Sequence, residues 1–480
     1  MEASNGISYL DLAIEVRQTA LYFSNKGVKK GDRVLVFVPM SIDLYRNVLA
    51  LFYIGATAVF LDEWVSFKRL SVCCRLAECR AFIGTPKARL LGFFAKEIRQ
   101  IPIKLSRKGK CTGVLSMANV RPLDTALITF TTGSTGIPKA ANRSHDFLNE
   151  QFKALKNEIN PQPQQVDMTL LPIVLFVNLG VGCTSVLANV KQKKPSTKGL
   201  STMVNQMERY QVNRLTASPF LIKKLALYLV KTNRVLMSVD QVFTGGAPVF
   251  PTEAKIYSKA FAKANIKVVY GSTEVEPISS IDARQLSKKE LTKGLPVGDV
   301  YGDTELRIIS VSDEPIIISD EQDWPELELP EGAIGEIIVT GPHVLKSYFK
   351  NERAFLKNKI TCKNRIWHRT GDSGFLCGKE LFLTGRCNQL LHIEGRYLSP
   401  FIVENKLEQI PGVEKGSLME IKGSLLLVIE GGITSEVLKD HLQDIPYDSI
   451  IFTNIPMDPR HHSKIDYESL KKKLSKEQLA

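Results

Sequence analysis

Short apolar runs alternate with stretches of helical spacing through much of this chain. The runs at 33–38, 56–61 and 81–83 each read as a buried strand. Between them, 10–24, 41–53 and 71–76 carry helical periodicity. The pattern recurs, with strands expected at 211–216, 239–244 and 268–270 and helices at 218–229 and 251–264. Strands joined through helices form mostly parallel sheets covered by those helices, so the fold class is α/β. From 298 to 385 the texture changes to short β-rich pieces such as 306–309 and 336–339 between turns. The acidic, proline-containing stretch 314–331 is expected to be an exposed loop. A tail beyond Gly385 is long enough for a small separate domain. With 480 residues in all, a chain of this length divides into about two to four domains.

One strand ends in an unusual way. The apolar run 126–130 leads into Thr131, Thr132, Gly133, Ser134, Thr135, Gly136, Ile137, Pro138 and Lys139. Glycines let backbone N–H groups converge on an anion. Hydroxyls add donors, and a lysine adds a mobile positive charge. This is a phosphate cradle, but not a Walker A loop. Pro138 stands where that motif needs glycine before the lysine, and proline removes an N–H and favours extended geometry at Ile137. A plain Ser/Thr/Gly turn is the competing reading.

Composition narrows the partners. The net charge of +13 favours anions. Its basic residues are scattered, the runs Arg107–Lys110 and Lys471–Lys473 are short, and no aromatic-plus-basic nucleic-acid motif is present. The eight cysteines contain no Cys-x-x-Cys pair, and the histidines lack metal-ligand spacing. Free thiols in a reducing cytoplasm are expected. The start, Met1-Glu2-Ala3, is not that of a signal peptide. Of two apolar stretches, 48–61 is too short to cross a bilayer. The uncharged 169–190 contains Pro172, Asn178, Gly180 and Gly182, and is expected to be a buried helix lining a pocket.

Five later features carry ligand-binding residues, the first two at the ends of strands. Gly245-Gly246-Ala247 lets a flat ligand lie against backbone. Tyr270-Gly271-Ser272-Thr273-Glu274 offers an aromatic face, hydroxyls and a carboxylate able to hold Mg²⁺. Asp372 suits ribose hydroxyls, and Arg386 suits phosphate or ribose oxygens. Lys464 sits in a loop near the end. Singly, each is more often structural.

In this order, the motifs resemble the AMP-forming adenylating superfamily of acyl-CoA synthetases, fatty acyl-AMP ligases, peptide-synthetase adenylation domains and luciferases. The resemblance spans about 8–474. It implies a large N-terminal domain of two α/β subdomains plus a distorted β-barrel, over 1–386. A small mobile α+β C-terminal domain, over 387–480, would carry Lys464. It also implies ATP and Mg²⁺. Thr131 to Lys139 would hold the pyrophosphate end of ATP. Gly245, Gly246 and Ala247 would border the adenine, and Tyr270 would stack on it. Thr273 and Glu274 would meet the α-phosphate and Mg²⁺, Asp372 and Arg386 the ribose. Lys464 would bridge the attacking carboxylate and the α-phosphate. Phe176 and Gly180 are candidates for an acyl pocket wall, against plain core packing.

A narrower resemblance, to the olefin β-lactone synthetase branch, rests on 81–90, 171–180, 270–277 and 458–465. That branch implies a β-hydroxy acid whose hydroxyl attacks its own acyl-adenylate. Ala140 departs from the usual glycine, Asn388 from the usual hinge residue and His392 from a common lysine, which puts a CoA step in doubt. The second nucleophile stays open between the substrate's own hydroxyl, CoA and a carrier-protein thiol. Outside this class stand a degenerate nucleotide-binding module and a lipid-binding protein at a membrane surface.

Overall fold

The computed structural model describes residues 6–61, 67–131, 138–190, 195–291, 294–393, 395–439, 441–442, 445–457 and 465–477. The first sheet contains β1 (Arg33–Phe37), β2 (Thr57–Phe60), β3 (Ala81–Gly84), β4 (Ile103–Ser106), β5 (Thr125–Thr131) and β6 (Lys139–Ser144). Their spatial order is β4-β3-β1-β2-β5-β6. The first five strands of that order are parallel, and β6 returns antiparallel beside β5. Buried Val34, Leu35 and Val36 and the helices Tyr9–Asn25 and Ile42–Tyr53 account for this layer. Ser8 and Ser41 cap those helices through their side chains.

A twelve-stranded sheet follows. Its strands are β7 (Val166–Thr169), β8 (Thr184–Ser185), β9 (Arg214–Ala217), β10 (Gln241–Gly245), β11 (Asn265–Ser272), β12 (Val275–Asp282), β13 (Leu295–Val300), β14 (Glu305–Ile309), β15 (Gly335–Thr340), β16 (Lys359–Cys362), β17 (Arg365–Cys377) and β18 (Glu380–Arg386). The run β8-β7-β9-β10-β11 is parallel, as the helical spacing around it predicts. From β12 onward pairing is antiparallel. The β-rich region expected as a distorted barrel is thus hydrogen-bonded into the second α/β sheet across β11 and β12. Beyond Arg386 come a hairpin, β19 (Leu391–Ile393) and β20 (Arg396–Leu398), and a three-stranded sheet of β21 (Val413–Ile421), β22 (Ser424–Gly431) and β23 (Ser449–Phe452). This small unit has its own core around Leu407, Leu418, Leu427 and Ile429. It meets the large one where Phe401 packs on Phe250 (ring centroids 5.0 Å apart) and Ser399 Oγ donates to Thr384 O at 2.5 Å.

Two expectations are refined. The stretch 314–331 is not all exposed loop. It contains a short 3₁₀ helix, Glu321–Glu326, whose Trp324 is buried against Trp367 with ring centroids 5.1 Å apart. The uncharged stretch is a ten-residue helix, Pro172–Val181, opened by proline and closed by left-handed Gly182. Its buried Asn178 donates to Asp167 Oδ2 at 3.0 Å. Among the described residues no helix is long and apolar enough to cross a membrane. Among the described residues no two cysteines form a disulfide.

Candidate active site

The parallel strands place their C-terminal ends, with the loops that follow, around one location. At β5, Thr131 lies directly across from Lys139 of β6. The two ends of the glycine–hydroxyl loop are therefore pinned side by side. Thr132, Gly133, Ser134, Thr135 and Gly136 themselves lie outside the described residues, as does Lys464. Ala140 is buried in β6 opposite Phe130.

Glu274 follows β11 and is buried. The segment 345–348 holds it twice, Leu345 N donating to its carbonyl at 2.7 Å and Tyr348 Oη donating to Oε1 at 3.1 Å. Four cationic side chains from three strands, β6, β16 and β18, act on this carboxylate: Lys139, Arg143, Lys359 and Arg386. Among the described residues none of them closes to an ion pair with it. Each is held by another partner instead. Lys139 Nζ donates to Asn358 Oδ1 at 2.6 Å, Arg143 to Thr273 O at 3.1 Å, and Lys359 Nζ to Leu345 O. Arg386 pairs with Asp372 at 3.1 Å. Burial pulls Lys139 below its usual range and brings Lys359 down to about 7, with Glu274 opposing both shifts. Buried His368, whose Nδ1 meets Asn358 O at 3.1 Å, is held well below the usual imidazole range by burial and then by Lys359.

Positive charge gathered around a carboxylate that closes no ion pair suits a polyanion. Mg²⁺ is commonly held by one or two carboxylates plus substrate phosphates. Glu274 fits that donor set, while Glu276 and Asp372 act more strongly on Arg143 and Arg386. Among the described residues there is no group of three or more His, Cys, Asp or Glu able to hold a metal by itself.

Next to this cluster, Tyr270 Oη donates to Asp372 Oδ2 at 2.8 Å, and Arg386 grips the other carboxylate oxygen. Burial, then Asp372, raises the Tyr270 hydroxyl well above its usual range. Gly371 precedes Asp372 at φ +68°, a left-handed turn that suits glycine, and its N–H donates to Glu336 at 3.2 Å. The structure therefore brings Tyr270, Asp372 and Arg386 together as one hydrogen-bonded unit. Gly245 is required by packing, because a Cβ there would come within 2.4 Å of Val269 O on the adjacent strand. Gly246 turns with φ +83° and is exposed beside Ala247. Gly271 and Ser272 complete β11, and Ser272 Oγ accepts from Glu274 N at 3.3 Å.

Phe176 is placed elsewhere. It packs in the core beside the first sheet, 5.0 Å from the Tyr45 ring and 6.5 Å from that of Phe52. Gly180 is exposed, and a Cβ there would meet Phe152 at 2.5 Å. Sequence reasoning missed Tyr348, Lys359, Asn358, Arg143 and His368. Lys359 stands in a Lys-Asn-Lys run that reads as solvated surface, and no local signal separates it from its neighbours.

These features define the class: a two-sheet α/β nucleotide-binding fold with a small appended domain. Residues 2–349 match the family of AMP-binding enzymes, and the chain belongs to that family. It is an adenylate-forming, ATP-binding ligase. It is 28% identical to an olefin β-lactone synthetase of Stenotrophomonas maltophilia over 98% of this chain and 92% of that protein. It is 30% identical to one from Xanthomonas campestris over 79% of this chain and 72% of that protein. Among solved structures it is similar to O-succinylbenzoate coenzyme A synthetase from Bacillus subtilis in complex with AMP. The TM-score there is 0.79 at 20% identity, covering 98% of this chain and 94% of that one.

Proposed function

We propose that this ligase activates a fatty or β-hydroxy fatty acid as its acyl-adenylate, and that the acid's own β-hydroxyl then closes a β-lactone. The observation that carries the adenylation site is the set of four cations turned on Glu274 without closing on it. The olefin β-lactone synthetase relatives support the second half. In this reading a carboxylate oxygen of the acid attacks the α-phosphorus of ATP, and the bond to pyrophosphate breaks. Phosphoryl transfer of this kind depends mostly on positioning and charge neutralisation. Lys139 faces the departing pyrophosphate at the mouth of the 131–139 loop, and Thr273 faces the α-phosphate. Glu274 holds Mg²⁺, which would neutralise phosphate charge. Asp372 and Arg386 hold the ribose, with Tyr270 against the base. Lys464, carried by a mobile 387–480 domain, would bridge acid and α-phosphate and help exclude water on closure. The β-hydroxyl oxygen then attacks the acyl carbon, its proton leaves, and AMP departs.

Product mass spectrometry tests this. The protein is incubated with ATP, Mg²⁺ and a panel of fatty and β-hydroxy acids, with and without CoA. A β-lactone formed without CoA is the expected result. Acyl-CoA as the product would replace the intramolecular step by thioester formation. Lys464→Ala is expected to nearly abolish acid-dependent pyrophosphate release while ATP still binds. Unchanged turnover would remove Lys464 from the site.

A further inference from the structure

We infer that Lys359 is a positioning residue for the Glu274 carboxylate, acting through the segment 345–348. The inference rests on the reading of Glu274 as the metal-holding group. Lys359 opens β16 and is 2% exposed, so its ammonium has been withdrawn from water at considerable cost. Two contacts offset that cost. Its Nζ donates to Leu345 O, and it lies over the Tyr348 ring at 5.7 Å from the centroid. Both contacted residues are the ones that hold Glu274. Leu345 gives its N–H to the Glu274 carbonyl, and Tyr348 gives its hydroxyl to Oε1. One buried cation therefore pins both anchors of the carboxylate.

Lys139 lies over the same Tyr348 ring at 5.9 Å, so both lysines contact one aromatic side chain. Asn358, the residue before Lys359, takes Lys139 on its side chain and His368 on its carbonyl. The start of β16 thus sets Lys139 and Glu274 relative to each other from behind. Ligand-orienting neighbours of this kind typically change metal affinity by about 10- to 100-fold when removed.

The test is a Mg²⁺ titration of Lys359→Met and Tyr348→Phe in the full chain. Acid-dependent ATP–pyrophosphate exchange gives the kinetic readout. Calorimetry of ATP binding at low and high Mg²⁺ gives one that does not depend on turnover. Lys359→Met is expected to need at least about tenfold more Mg²⁺ for half-maximal exchange and to lose most of the Mg²⁺-dependent gain in ATP affinity. Tyr348→Phe should move the same two quantities in the same direction. The double variant should fall short of the product of the two effects, because both act on one carboxylate. A folded Lys359→Met with wild-type Mg²⁺ dependence overturns the inference. If Lys359→Met does not fold, a Tyr348→Phe variant with unchanged Mg²⁺ dependence overturns it equally. Full activity in Glu274→Gln would instead remove the metal reading on which the inference stands.

Discussion

Glu274 and Glu336 are both buried carboxylates near the C-terminal part of the large unit, yet they are partnered in opposite ways. Glu336 takes two hydrogen bonds from Arg369 on Oε2, at 2.6 and 2.9 Å, and the Gly371 N–H on Oε1 at 3.2 Å. Arg369 spends its remaining donors on the Glu314 and Ser312 carbonyls. One anion meets one cation and both are closed off. Glu274 feels four cations, and among the described residues none of them bonds it. Hydrogen bonds to Asn358, Thr273, Leu345 and Asp372 hold those cations back. A closed pair stabilises a fold or is neutral to it, whereas an open cluster is strained until a counter-charge arrives.

The largest effect expected is on the closed pair. Arg369→Met leaves Glu336 buried without its cation and should cost about 3–5 kcal/mol of stability. A thermal melt unchanged from wild type would dissolve the distinction. At the open cluster, Glu274→Gln should leave the melt nearly intact while lowering acid-dependent exchange by about 100- to 1,000-fold, on the scale of removing one preorganised electrostatic group. Exchange within threefold of wild type would show that the cluster is not the reaction site.

A third carboxylate sharpens the contrast. Glu404, in the small unit, is half-buried with hydroxyl donors from Tyr467 and Ser417 at hand, and desolvation pushes it up to about 7. Between about 4.5 and 7 the folded chain keeps a proton that the unfolded chain has released. Stability from this group is therefore fully present at pH 4.5 and below, falls as pH rises towards 7, and stays low above it. Glu404→Gln should remove that fall, gaining about 2 kcal/mol at pH 8 relative to pH 4.5, less than the full displacement implies because interiors screen charge. A melt of the variant that keeps the wild-type pH slope would exclude Glu404 as its source. The smallest effect is expected at Tyr270→Phe. Losing the hydroxyl on Asp372 costs about 1 kcal/mol, read as a roughly fivefold higher KM for ATP with kcat little changed. An unaltered KM would detach Tyr270 from nucleotide binding.

Much of this could be read without coordinates. The α/β alternation and the strand ends at Thr131, Gly245 and Ser272 are set by local patterns. Such patterns carry apolar periodicity and turn chemistry within a few residues. Trp324 was not legible, since an acidic, proline-containing segment gives no sign that one of its residues docks on Trp367. Phe176 belongs to an apolar run whose period fits a core helix and a pocket wall alike. The structure places it beside Tyr45 and Phe52.

The sequence by itself determined the fold class, the glycine–hydroxyl loop after β5 and the acidic and basic residues near the strand ends. Each of those depends on neighbours in the chain. Only the tertiary structure decided that Lys359, Tyr348, Asn358 and Arg143 surround Glu274. They come from β16, the 345–348 segment, the end of a helix and β6, separated from Glu274 by 74 to 131 residues. Their meeting depends on strand register and burial across the sheets, and the cost of burying Arg143 and Lys359 becomes visible only when the carboxylate beside them is placed among them.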